Sequence, residues 1–185
     1  MKCFCLAFCL LLMACGGKAE SSNTPQGMCH AAADSQWLTG SASTVLDGDT
    51  LVLNAGTSTE YIRLQGVDAP ELAQNYGSQA RQTLSQLALH QPLRVAYTQR
   101  DRYGRILGQV FTSSCADLNV QLLHEGMAWF YKAYACDLDA ARRQLYAEAE
   151  SQARAQHLGL WQQSQPLAPW IYRNGEDPAL PSCLN

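Results

Sequence analysis

Ten residues, Ile62-Arg63-Leu64-Gln65-Gly66-Val67-Asp68-Ala69-Pro70-Glu71, place one guanidinium and two carboxylates within reach of a single space. Tyr61, Ile62, Leu64 and Val67 supply strand-forming bulk. A period of two sends Ile62 and Leu64 to one face and Arg63 and Gln65 to the other. Pro70 cannot donate to a ladder and biases Ala69 to an extended conformation, so the strand stops there. Asp68 and Glu71 then sit on a turn that can aim both carboxylates into one space, with Arg63 at its rim. Alone, two acids and an arginine describe a solvated turn. Two other stretches change that reading. Asp47-Gly48-Asp49-Thr50 adds a carboxylate able to hold a metal ion, and Asp101-Arg102-Tyr103-Gly104-Arg105 adds a second arginine able to grip a phosphate. Oxygen-only ligands such as Asp49 and Asp68 favour a hard cation, Ca²⁺ or Mg²⁺. Arg63 and Arg105 can each fork two N–H donors onto phosphate oxygens, which lysine cannot match.

The order D-G-D-T, R-x-x-x-V-D-x-P-E, D-x-Y-G-R resembles the staphylococcal nuclease (thermonuclease) family, over roughly Thr44 to Trp161. The resemblance implies hydrolysis of phosphodiesters in DNA, with RNA as a second substrate, and Ca²⁺ ahead of Mg²⁺ as the cofactor. Asp49 and Asp68, with the backbone carbonyl of Ala69, would be the metal ligands. The family often has Thr where this chain has Ala69, which keeps the carbonyl but loses a hydroxyl. Glu71 corresponds to the general base, and Arg63 and Arg105 to the groups that stabilise the pentacoordinate phosphate. Arg102 matches a basic position near substrate phosphate. Tyr103, Tyr131 and Tyr134 could stack on a base, a contact that tolerates any sequence. Two other functions fit the same elements: a nucleic-acid-binding barrel without catalysis, and a protein-interaction lipoprotein. The four histidines show no ligand spacing.

Length and composition bound these readings. At 185 residues and 47% hydrophobic, one globular domain is expected. The net charge of −3 does not announce a polyanion binder. Between Arg63 and Arg105, however, six arginines face only Asp68, Glu71 and Asp101, so the central segment is locally basic. Lys2 is followed by twelve apolar residues, Cys3 to Ala14. As a helix these span about 18 Å, too short for a hydrocarbon core of about 30 Å, and they read as a signal-peptide core. Leu12-Met13-Ala14-Cys15-Gly16 resembles a bacterial lipoprotein box, with lipid on Cys15; ordinary secretion and an uncleaved anchor are the alternatives. The expected organisation is a signal peptide over 1–14, a lipidated tether over 15–33, the nuclease-like domain over 34–165 and a packed tail over 166–185. A monomer held at the membrane by its lipid is expected, in the bacterial cell envelope.

Cys29, Cys115, Cys136 and Cys183 remain in the mature chain, an even number in an oxidising compartment, and are expected in structural disulfides. A helix followed by a returning strand predicts Cys115–Cys136, and neighbouring chain ends predict Cys29–Cys183.

These groups need elements to position them. The pattern from Trp37 to Val67 is β, with a turn at Asn54–Thr57. Tyr76, Ala80, Leu84, Leu87 and Ala88 mark a helix over 77–89. Strands follow around Leu93–Tyr97 and Ile106–Val110, and a short helix runs over 117–125, stopped by Gly126. Residues 127–134 read as extended. Asp137 or Asp139 caps a last helix striped by Leu138, Ala141, Leu145 and Ala149 and ending near Gly159. Periodicity alone says α+β. The family resemblance sharpens this to a five-stranded OB-type β-barrel with three helices.

Overall fold

The computed structural model describes residues 29–184. The signal segment, Cys15 and most of the tether lie outside the described residues. Five strands close into a barrel: β1 (Gln36–Val45), β2 (Thr50–Ala55), β3 (Ser58–Leu64), β5 (Pro92–Arg100) and β6 (Ile106–Thr112), in the order β1-β2-β3-β6-β5. Between β3 and β5 lie the two-residue β4 (Val67–Asp68) and the helix α1 (Gly77–Ala88). After β6 come α2 (Leu118–His124), β7 (Trp129–Phe130), α3 (Ala140–Ala155) and a short α4 (Pro169–Asn174). The expected barrel and its three main helices are present.

Barrel closure follows from alternation. Leu51, Leu53, Ile62, Leu64, Val95, Ile106 and Val110 are all fully buried, and α1 adds Ala80, Leu84 and Ala88 to the same core. Antiparallel pairing joins every neighbour but one; β3 and β6 run parallel, with Ile62 opposite Ile106 and Arg63 opposite Leu107. That parallel seam brings Arg63 and the start of β6 to the same end of the barrel. Asn119, fully buried on α2, locks it. Its side chain accepts from Val110 N–H at 3.0 Å and donates to the carbonyls of Gln65 and Gly108 at 3.0 and 3.1 Å.

Three expectations need correction. The buried face of α3 is Arg142, Tyr146, Ala149, Glu150 and Ala153; Ala141 and Leu145 point to solvent. Two charged residues lie on the inner face because each has a partner. Arg142 pairs with Asp117 and donates to the His30 carbonyl, and Glu150 accepts from Phe130 N–H at 3.2 Å. Asp139 rather than Asp137 caps the helix, accepting from Arg142 N–H at 2.8 Å. The extended run expected over 127–134 is limited to Trp129–Phe130, since its partner β4 has only two residues to offer. From Lys132 the chain turns as a 3₁₀ helix.

The third correction concerns the disulfides, which join Cys29 to Cys115 and Cys136 to Cys183. The segment after α2 does not run back towards Cys115. It pairs with β4 and then coils, carrying Cys136 away. Cys115 instead follows β6 and packs with Cys29, Ala96 and Phe111. Residues 29–33, assigned to the tether on composition, are therefore tied to the folded domain, at Cys29 through Cys115 and at the His30 carbonyl through Arg142 of α3.

Replacing Asn119 by Ala leaves the Val110 N–H buried without a partner and should cost about 2–4 kcal/mol, read by denaturant titration. Peptide mapping of the unreduced protein should recover Cys29 linked to Cys115 and Cys136 linked to Cys183.

Candidate active site

Asp49 enters the site from the β1–β2 turn. Asp47 Oδ1 accepts from Asp49 N–H at 3.0 Å, closing a turn that sets the next side chain inward. Gly48 is required there by close approach: a Cβ would stand 2.5 Å from that of Ala69 and 2.7 Å from that of Ala80. The Asp49 carboxylate accepts from Ala69 N–H at 2.7 Å and from the Thr50 hydroxyl at 3.1 Å. Asp68 arrives on β4, held opposite Trp129 of β7, and is 1% exposed.

Arg63 lies between the two acids. Its Nε is 3.1 Å from Asp49 Oδ1 and its Nη2 2.9 Å from Asp68 Oδ1. Nη1 donates to the carbonyls of Leu64 and Val67, each at 2.7 Å, and so ties down the intervening turn. Burial pushes both carboxyls above the usual carboxylate range, with Arg63 opposing the shift at each. A buried acid of this kind demands positive charge nearby.

Glu71 stands just beyond, half exposed, on a loop that the sequence makes rigid. Glu71 N–H donates to Gln74 Oε1 at 2.8 Å, and Gln74 N–H returns a bond to the Glu71 carbonyl at 2.7 Å. Gly77 closes the loop, because a Cβ there would fall 1.9 Å from the Glu71 carbonyl oxygen.

The opposite wall comes from the β5–β6 turn. Asp101 accepts from the backbone N–H of Tyr103 and Arg105 and pairs with the Arg105 guanidinium at 2.8 Å. Burial alone would raise the Asp101 carboxyl; these bonds outweigh it and hold it below its ordinary range. Tyr103 is 71% exposed, with the Arg102 and Arg105 guanidinium carbons 5.1 and 5.7 Å from its ring centre. Tyr131 and the exposed Tyr134 meet edge to face at 5.0 Å.

Every expected site residue of the folded domain therefore lines one cavity of about 790 Å³: Asp49, Arg63, Asp68, Ala69 and Glu71 on one side, Arg102, Tyr103 and Arg105 on another, with Tyr131 and Tyr134. Cys15 lies outside the described residues. The donor atoms are oxygens, and among the described residues no group of three or more His, Cys, Asp or Glu side chains assembles into a metal cluster. Two neighbouring buried aspartates fit a hard cation completed by backbone oxygen and solvent. They do not fit one that needs a full set of side-chain ligands.

The same cavity contains a residue that the motifs did not point to. Arg173, on α4, donates from Nη1 to Glu71 Oε1 at 2.7 Å and to Asp68 Oδ1 at 3.2 Å, and from Nη2 to Asp68 Oδ2 at 2.8 Å. Burial by itself would lower its pKa; the bonds to Asp68 and Glu71 outweigh that and raise it further. Burial also raises the Tyr131 phenol, with the Asp68 charge adding to it. Nothing local in the tail marks Arg173, which stands more than a hundred residues from its partners.

A family model described as staphylococcal nuclease homologue matches residues 61–163. A micrococcal nuclease of Shigella flexneri is 39% identical over 137 residues, covering 70% of this chain and 76% of its own length. An uncharacterized endonuclease of Escherichia coli is 38% identical over 130 residues, 70% of this chain and 81% of its own. A staphylococcal-like nuclease of Arabidopsis thaliana is 36% identical over 117 residues, 62% of this chain and 33% of its own. With more than half the chain matched and the acids and arginines gathered at one end of the closed barrel, this protein belongs to the staphylococcal nuclease family.

Proposed function

We propose that the chain is a metal-dependent phosphodiesterase that cleaves DNA, and RNA as a second substrate, without strong sequence preference. One observation carries this reading: two buried carboxylates, a solvent-reachable glutamate and an arginine-bearing turn face one another across one groove. Asp49 and Asp68 would hold a Ca²⁺ ion, with Ala69 offering its carbonyl. Bound there, the cation supplies Lewis-acid polarisation of the phosphate.

The chain's own residues do the rest. Arg63 spends its donors on both aspartates and on the turn, and so fixes the carboxylates and balances their charge. The role at the pentacoordinate phosphate that the resemblance implies for it would use the donors that a cation on the aspartates sets free. Glu71 stands where it can orient a water or take its proton. Arg105, steadied by Asp101, offers the planar fork that matches phosphate oxygens and neutralises charge developing on them. Tyr103, flanked by Arg102, gives an exposed face for a base, and Tyr131 lines the same groove beside Asp68 and Arg173.

The two disulfides agree with an oxidising compartment. Lipid on Cys15 would hold the monomeric domain at the membrane of the bacterial envelope, with the 1–14 segment removed. Among the described residues no helix is long and apolar enough to cross a membrane.

Glu71→Gln and Arg105→Ala should fold normally and slow plasmid cleavage by about 10²–10³-fold, measured on agarose with Ca²⁺. Wild-type turnover in either would sink the assignment. Asp68→Ala should abolish metal-supported cleavage, with chelator and metal add-back as controls. Cys15→Ser should stop incorporation of labelled palmitate; continued labelling would identify another acylated cysteine.

A further inference from the structure

Arg173 reaches the site by a route that the rest of the chain is built to fix. Trp170, one turn earlier on α4, stacks on Tyr131 with ring centres 5.3 Å apart and planes 3° from parallel, and meets Trp129 edge to face at 5.4 Å. Its indole N–H donates to Asp177 at 2.7 Å. Further on, Cys183 is bonded to Cys136, so the segment is pinned on both sides of Arg173. The Glu71 loop docks on it as well, through Gln74 to the Leu167 carbonyl at 3.2 Å. The guanidinium thus arrives at Asp68 and Glu71 as a positioned group rather than as a loose surface side chain.

Both Asp68 oxygens are engaged by Arg173, and Oδ1 by Arg63 as well. A cation that took Asp68 as a ligand would need at least one of those oxygens. Arg63 can yield little, since its Nη1 is spent on the turn carbonyls. Arg173 can leave, because its guanidinium is one-third exposed and is held by side chains alone, the carboxylates of Asp68 and Glu71 and the Tyr131 phenol, with no backbone bond among the contacts described. Resting on the metal reading proposed above, we infer that Arg173 is a built-in cation that fills the place of the metal on Asp68 and competes with it. The C-terminal strap, held by Trp170 and Cys183, then sets how much divalent cation is needed before Asp68 and Glu71 are released. A guanidinium that kept its bonds to Asp68 and Glu71 while the cation bound would give no such competition.

Calorimetric titration with CaCl₂ alone, at pH 8, of the soluble chain from residue 16 onward separates these. Arg173→Gln should bind Ca²⁺ about tenfold or more tightly than wild type. The double variant Cys136→Ser/Cys183→Ser, which unhooks the strap and keeps the arginine, should shift the same way by less. Equal or weaker binding in Arg173→Gln, with wild type binding normally, overturns this inference and leaves the nuclease reading standing. An unchanged affinity in the unhooked variant overturns the role of the strap. Absence of binding in every protein, or binding that survives Asp68→Asn, overturns both readings.

Discussion

The site depends on one constraint: two carboxylates are taken out of water beside each other, and positive charge must follow them. Asp49 and Asp68 are 6% and 1% exposed. An unpaired buried charge is costly, and removing one partner of a buried pair typically costs about 3–5 kcal/mol. Arg63 meets that demand because it grows from the strand between the two acids in sequence and reaches both. Its hold on the Leu64 and Val67 carbonyls makes the turn, the acids and the barrel end one rigid unit. Reactive geometry of this kind needs support that does not move when substrate binds.

Barrel topology explains why so few residues suffice. The parallel β3–β6 seam puts Arg63 and the Arg105 turn at one end, and the β1–β2 turn delivers Asp49 to the same place. Glycines are spent where backbones must touch: Gly48 against Ala69 and Ala80, Gly77 against the Glu71 carbonyl. Asn119 then ties α2 to the seam from the other side. The short Ala69 side chain, which lacks the hydroxyl of a Thr, is part of the close packing that Gly48 permits.

Much of this was legible in the chain before folding. The acids and arginines lie in short local motifs, and strand alternation with turn residues places each motif at a strand end. Hence Asp49, Arg63, Asp68, Glu71 and Arg105 could be named together. The features that escaped are long-range. The inner face of α3 carries two charges because Arg142 and Glu150 find partners at the N-cap of α2, on β7 and in the N-terminal segment, and no period reveals a partner. The disulfide connectivity turns on where residues 131–137 coil, which a two-residue strand decides. Arg173 is the clearest case. It sits in a proline-rich tail with no motif, and long-range contacts, among them the docking of Trp170 on Tyr131 and the Cys136–Cys183 disulfide, bring it to Asp68.

The central claim is that Asp49 and Asp68 form one cation site at the end of the barrel. Anomalous diffraction from crystals of the soluble domain soaked in Mn²⁺, a scattering substitute for Ca²⁺, tests it most directly. The account predicts one strong peak within ligand distance of both carboxylates. A peak elsewhere, or no peak in crystals whose dissolved protein cleaves DNA with Mn²⁺, would contradict it.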